Sequence, residues 1–207
     1  MTTTRTLTYG ETIRRIGRAP EDSQRDYRRL IDVLGRPSRI AAIDTVDGVP
    51  PVIILAAGLA DVDVTVAVLD EDWERPFFVA TGATRTDITR AQHIIATQPL
   101  TVDQLTSLER GDALHPERGA RVFAAVTGFG DAVDGADSTT LILSGPGNDG
   151  EARLSVDGLA PEFFDALAIA NADFPAGIDL VLVAPDGRIA AIPRSSRISI
   201  EKPEKGA

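Results

Sequence analysis

Three aspartates in the last third of the chain, Asp173, Asp179 and Asp186, are spaced like carboxylates that could converge. An acid–base pair built from carboxylates needs two of them close together with separated pKa values. Asp179 stands between Ile178 and Leu180, so in an extended segment it faces opposite to both, into a cleft or an interface. Asp173 reads as a turn cap and Asp186 as a hairpin residue, so no such pair is specified. Gly145-Pro146-Gly147 follows a strand-like run and invites comparison with a phosphate-cradling loop. That loop needs several backbone N–H groups aimed at one anion, with a helix N-terminus behind them. Pro146 has no N–H and no Gly-Lys-Ser/Thr follows, which favours a tight structural turn. Of the two histidines, His93 reads as part of a polar helix face, while Glu117 is close enough in sequence to orient His115. Without a His-x-x-x-His spacing they make no case for a metal site. Ser144 lacks the Gly-x-Ser-x-Gly elbow of a hydrolase nucleophile. Arginines are the richer group: Arg36 and Arg39 flank Pro37, and Arg194 and Arg197 follow Pro193. Arginine suits bidentate contacts to phosphate or carboxylate, although surface ion pairing is the first account of any one of them on an acidic chain.

The elements that must position these residues follow from hydrophobic spacing. Residues 1–21 are polar, Thr/Arg-rich and weakly periodic, the pattern of a loose arm. From Ser23, the recurrence of Tyr27, Leu30, Ile31 and Leu34 predicts a helix that Gly35 and Pro37 stop. Pro50-Pro51 opens a short buried helix over 52–60, and the β-branched run 64–69 reads as a strand, as does 77–80. Thr86 or Asp87 caps an expected helix to about Thr97, with Ile88, Ala91, Ile94 and Ile95 on one face, and a short helix is expected within 101–110. Strands follow at 121–127, 139–143 and 152–156, with a Gly/Asp-rich turn at 128–137 and a helix over 161–170. Segments 178–184 and 188–192 flank Pro185-Asp186-Gly187, a hairpin signal because proline presets φ early and glycine accepts positive φ late. Strands and helices alternate early and hairpins cluster late, which predicts an α/β fold with a mixed sheet. The expected division is an arm over 1–21, one domain over 22–200 and a tail over 201–207.

Composition narrows the function. A single domain of 207 residues can bury roughly 70% of its unfolded surface, so neither metal nor disulfides are needed for stability. There are no cysteines, which removes thiolate ligands and a cysteine nucleophile and fits a reducing cytoplasm. The formal charge of −10 repels phosphate backbones and argues against nonspecific nucleic-acid binding. No apolar run is long enough to span a bilayer, and the N-terminus carries no secretory h-region. Both lysines, Lys202 and Lys205, lie in the tail, which closes the Schiff-base route for pyridoxal phosphate unless the tail folds inward.

Six ordered blocks carry a family resemblance: 27–37 (Tyr-Arg-Arg-Leu-Ile-Asp-Val-Leu-Gly-Arg-Pro), 59–61, 111–120 (Gly-Asp-Ala-Leu-His-Pro-Glu-Arg-Gly-Ala), 141–147, 174–180 (Phe-Pro-Ala-Gly-Ile-Asp-Leu) and 191–194. Together they resemble PhnH, a subunit of the bacterial carbon–phosphorus lyase system. The chain departs from the family pattern at Leu34-Gly35, where Met-Ser is usual, at Ala176, where Leu is usual, and at Asn148-Asp149 after Gly-Pro-Gly. The resemblance implies a cytoplasmic protein of phosphonate breakdown. It implies a three-layer α/β/α fold with a mixed sheet, similar to pyridoxal-phosphate-dependent transferases but without the cofactor. It also implies a homodimer that joins PhnG, PhnI and PhnJ, and a need for this subunit, together with PhnG, PhnI and PhnL, when methylphosphonate displaces adenine from ATP to give ribose 1-phosphonate triphosphate. The resemblance brings no catalytic residue with it. The candidate ligand or interface positions are Gly145, Gly147, Asp179 and Arg194, chosen for their density in these blocks. The rival expectation is a free-standing transferase or hydrolase acting on a phosphorylated small molecule.

Overall fold

A capping box starts the first helix, α1 (Tyr9–Ile16), in the computed structural model, which describes residues 7–130 and 138–201. Thr8 Oγ1 accepts the Glu11 N–H at 3.3 Å, and Glu11 Oε2 accepts the Thr8 N–H at 2.9 Å. The stretch expected as a loose arm is therefore helical over these residues, with Ile16 as its buried anchor. Local cap chemistry outweighs its weak periodicity. Residues 1–6 of that arm, 131–137 of the expected Gly/Asp-rich turn, and 202–207 with both lysines lie outside the described residues.

The next helix, α2 (Pro20–Gly35), has proline at its first turn, where the missing N–H is no loss. Its buried face is not quite the expected one. Leu30 and Val33 are buried, but Tyr27 and Ile31 are half exposed, and Asp26 takes an inner position. Arg18 and Arg29 both pair with Asp26, which is what allows a carboxylate to be buried there.

β1 (Ala41–Ala42), α3 (Pro51–Ala57) and β2 (Thr65–Val68) follow, and α3 buries Val52 through Ala56 as its apolar sequence requires. Residues 77–80, expected as a strand, lie inside α4 (Glu71–Thr81). Asp70 caps this helix through its bond from the Asp72 N–H at 3.0 Å, and Gly82 ends it at φ 71°. Start and stop signals there override the strand preference of the Phe77-Phe78-Val79 run.

The helix expected over 87–97 is also replaced. After β3 (Thr84–Arg85), Asp87 caps one short 3₁₀ turn (Ile88–Arg90), and β4 (His93–Ala96) runs through the sheet centre. All four β4 residues are buried. A parallel strand covered on both faces reads as a continuous apolar run, and next to Ile88 and Ala91 that run imitates helical spacing.

The chain continues through α5 (Val102–Thr106), β5 (Arg121–Ala125), β6 (Ser138–Ser144), β7 (Glu151–Asp157), α6 (Pro161–Ala170), β8 (Asp179–Val183), β9 (Arg188–Ile192) and β10 (Arg197–Ile200). The described strands form a seven-stranded sheet in the order β1-β9-β8-β5-β4-β2-β3 and a three-stranded sheet in the order β10-β6-β7. In the larger sheet β3, β2, β4, β5 and β8 pair in parallel, while β9 pairs antiparallel with both β8 and β1, so the mixed α/β class is as expected. One face carries Val66, Ile95, Phe123 and Val181 against α1–α4. The other carries Ile94, Val122, Leu180 and Ile192. That second face is covered by α5 and α6 together with the inner residues of the small sheet, Leu141, Leu143, Leu154 and Val156. The outer layer there is mixed, not purely helical, because β6 and β7 alternate buried and exposed residues and need a core beneath them.

Candidate functional site

A single row of residues crosses the starting edge of the parallel strands. Val66, His93, Arg121 and Asp179 are register partners in β2, β4, β5 and β8. In-register neighbours of parallel strands point to one face, so His93, Arg121 and Asp179 stand side by side. They line a cleft of about 520 Å³ with Gln92, Gly119, Phe174 and Arg194. Ligands of open α/β sheets ordinarily bind at the carboxyl ends of the strands, where helix N-termini supply N–H groups. This cleft lies at the opposite edge, so its charge must come from side chains.

His93 is buried on β4, not on a polar helix face. Its ring meets Phe123 edge-on, with centroids 5.4 Å apart. Burial first, and the neighbouring Arg121 guanidinium second, push its pKa down from 6.5 to about 4, against a weaker opposing pull from Asp61. The ring is therefore neutral at physiological pH. Its Nδ1 and the Arg121 Nε are both buried without a hydrogen-bond partner. Gln92, next to them, is held by Thr65, whose N–H and hydroxyl reach Gln92 Oε1 at 3.0 and 3.2 Å.

Arg194 has the opposite character, because its donors are occupied. Its Nε and Nη2 reach the two oxygens of Asp179 at 3.2 and 2.8 Å, and its own N–H adds a third bond to Asp179 at 3.0 Å. The same guanidinium donates to the carbonyls of Pro116 and Gly119 at 2.6 and 3.2 Å. Arg194 thus ties the end of β9 to the start of β8 and to the loop before β5. That loop is shaped by its own residues. Asp112 Oδ1 accepts the N–H groups of Leu114 and His115, both at 2.8 Å, which hold its pKa below the usual carboxylate range. Gly119 tolerates no side chain, since a Cβ there would strike the Gly177 carbonyl and Arg194.

Of the four candidate positions, Asp179 and Arg194 come together at this cleft. Gly145 and Gly147 lie apart from it in the β6–β7 turn. Gly145 has φ 125° and packs against the Ser195 carbonyl, while a Cβ on Gly147, at φ 90°, would collide with the Gly35 carbonyl. The glycines let the turn close onto the end of α2, which is the structural-turn reading of Gly-Pro-Gly. Pro146 and Arg194 do share a second cleft with Asn171 and Ser196, so the turn lies within reach of the Arg194 backbone region.

The remaining sequence candidates resolve individually. Asp186 accepts the Arg188 N–H at 3.0 Å and its Nε at 2.7 Å, closing the β8–β9 hairpin. Arg36 and Arg39 both pair with Asp32, at 2.9 and 3.0 Å, as surface ion pairing predicts. Glu117 Oε1 lies 3.2 Å from His115 Nδ1, and both side chains are exposed. Among the described residues no three His, Asp or Glu side chains are grouped to hold a metal ion. Arg121 and Gln92 are the cleft residues that sequence reasoning missed. The available signal was a charge at the first position of an apolar strand run, the place where a buried strand leaves the core.

Chemically, the cleft offers a guanidinium without an ion pair among the described residues, a neutral imidazole, a carboxylate committed to Arg194 and, in its lining, the exposed Glu117 carboxylate that faces His115. The lining holds no hydroxyl or thiol nucleophile.

Residues 16–199 match the family model described as bacterial phosphonate metabolism protein (PhnH). The chain is also similar to "Putative C-P lyase subunit protein HtxG" of Stutzerimonas stutzeri, with 28% identity over 193 residues, covering 90% of each protein. The six sequence blocks, the match across nearly the whole folded chain and the full-length relative agree, and this chain belongs to the PhnH family.

Proposed function

We propose that this chain is a subunit of a carbon–phosphorus lyase assembly in bacterial phosphonate breakdown, and that its chemistry is completed by neighbouring subunits. The observation that carries the proposal is the family match over residues 16–199, together with a relative named as a subunit of such a lyase. The cleft supports the same reading, because Asp179 is tied up by Arg194 and no hydroxyl or thiol lines the pocket. In this reading the protein acts in the cytoplasm as a homodimer and joins PhnG, PhnI and PhnJ. With PhnG, PhnI and PhnL it serves the exchange in which an alkylphosphonate displaces adenine from ATP, giving ribose 1-alkylphosphonate 5-triphosphate. Asp179 and Arg194 shape the ligand- or partner-facing cleft, and Gly145 and Gly147 shape the neighbouring turn.

Partner dependence separates this proposal from a free-standing transferase or hydrolase. Co-expression with PhnG, PhnI and PhnJ, followed by affinity capture on this chain, is expected to recover all three in fixed proportion through size-exclusion chromatography. Recovery of this chain alone, at its own dimer mass, would overturn the proposal.

A further inference from the structure

We infer that His93 and Arg121 form a binding site for a tetrahedral oxyanion, the phosphoryl or phosphonyl group of a small molecule, at the starting edge of β4 and β5. The inference rests on three features of the cleft and uses the proposed function only for the class of ligand.

The first is an unpaired cation. The protein carries a formal charge of −10, and two of the arginines at this edge have carboxylates: Arg194, in the cleft lining, has Asp179, and Arg85, in the same row of strands, has Glu74. Arg121 makes no ion pair or hydrogen bond with its side chain among the described residues, and its Nε is buried. A partly buried guanidinium without an anion is unfavourable, and an exogenous anion is the direct remedy.

The second is a buried, unpartnered imidazole beside it. His93 is 8% exposed and its Nδ1 has no partner, in a setting where almost all buried polar atoms have one. His93 and Arg121 are in-register neighbours on adjacent strands, facing one way into the same cleft. The guanidinium fork would saturate a planar carboxylate by itself. An added N–H from a second strand suits an anion whose oxygens point in several directions.

The third is rigidity. Both residues begin strands in the middle of the seven-stranded sheet, and the Gln92 carbonyl accepts the Arg121 N–H at 2.8 Å. The loop over the cleft is fixed by Arg194, whose donors are already engaged and do not compete for the ligand. The donors are thus held in place before an anion arrives, which limits the ordering penalty of binding.

Titration of the full chain with inorganic phosphate, methylphosphonate and acetate, followed by calorimetry and by the imidazole NMR signals, tests the site. Phosphate or methylphosphonate is expected to bind with a Kd of about 1 mM or tighter and to shift the His93 signals, while acetate binds more weakly. Comparison of phosphate with methylphosphonate distinguishes a phosphoryl from a phosphonyl preference. Arg121→Gln is expected to weaken binding at least about tenfold, and Arg121→Lys to weaken it less, since charge remains but the fork is lost. Circular dichroism and thermal unfolding confirm that each variant is folded. Absence of saturable binding by both tetrahedral anions, or equal affinity in folded Arg121→Gln, would overturn the inference. Loss of anion binding with the captured complex intact removes this site alone. Anion binding without complex formation removes the assembly reading alone.

Discussion

Replacing Arg194 by alanine is expected to lower the stability of this protein by about 3 kcal/mol, a drop in Tm on the order of 10 °C. The Arg194 and Asp179 side chains are each 15% exposed, so removing the guanidinium leaves a largely desolvated carboxylate without its partner. The carbonyls of Pro116 and Gly119 lose donors at the same time. Such losses exceed the value of the pair itself, because an unsatisfied buried group keeps its desolvation penalty. A double-mutant cycle with Asp179→Asn isolates the pair. The double variant is expected to be less destabilised than the sum of the single variants, since neither charge is then left alone. Thermal unfolding that leaves Arg194→Ala within about 0.5 kcal/mol of the parent would place Arg194 among surface arginines and remove its role as a tie between strand and loop.

His93 is expected to make the protein acid-labile at an unusually high pH. Its pKa stands at about 4 in the folded chain against 6.5 for an exposed histidine. Above the higher value both states are neutral, and folding gains nothing from the group. As pH falls through that range the unfolded chain takes up a proton that the folded chain refuses, so stability declines until the folded pKa is reached. The full decline is about 3 kcal/mol. Asp44, Asp112 and Asp186 have pKa values held below the usual carboxylate range, so their stabilising contributions fade only at lower pH. Denaturant unfolding in phosphate-free buffer therefore reads mainly the histidine from pH 6.5 down to about 5, above the range where the carboxylates begin to protonate. The His93→Leu variant is expected to show a much flatter profile in that window. Parallel profiles for the two proteins would show that His93 is not held neutral by burial.

The elements legible in the sequence were those with local signals. Pro161 at a first turn marked α6, Pro185-Asp186-Gly187 marked the β8–β9 hairpin, and the β-branched run after Asp63 marked β2. The misread segments were those whose state depends on remote neighbours. The Phe77 run became helical because Asp70 and Gly82 bound it, and the Ile94 segment became a strand because both of its faces are covered. The same limit governs the site. Asp179 and Arg194 were visible as chemistry-bearing residues, but their mutual engagement depends on β8 and β9 being neighbours. Arg121 and His93 are 28 positions apart and become adjacent only through parallel pairing of β4 and β5, which no short motif encodes. Gly147 also needed the fold, since its contact is with Gly35 on a different element.

The central claim is that this chain acts only as part of an assembly. Its most direct test is turnover of ATP plus methylphosphonate by the purified partner subunits with and without this chain, and by this chain alone. The account predicts adenine release from the complete mixture, little from the partners without this chain, and none from the isolated chain. Adenine release by the isolated chain, or an equal rate from the partners without it, would contradict the account.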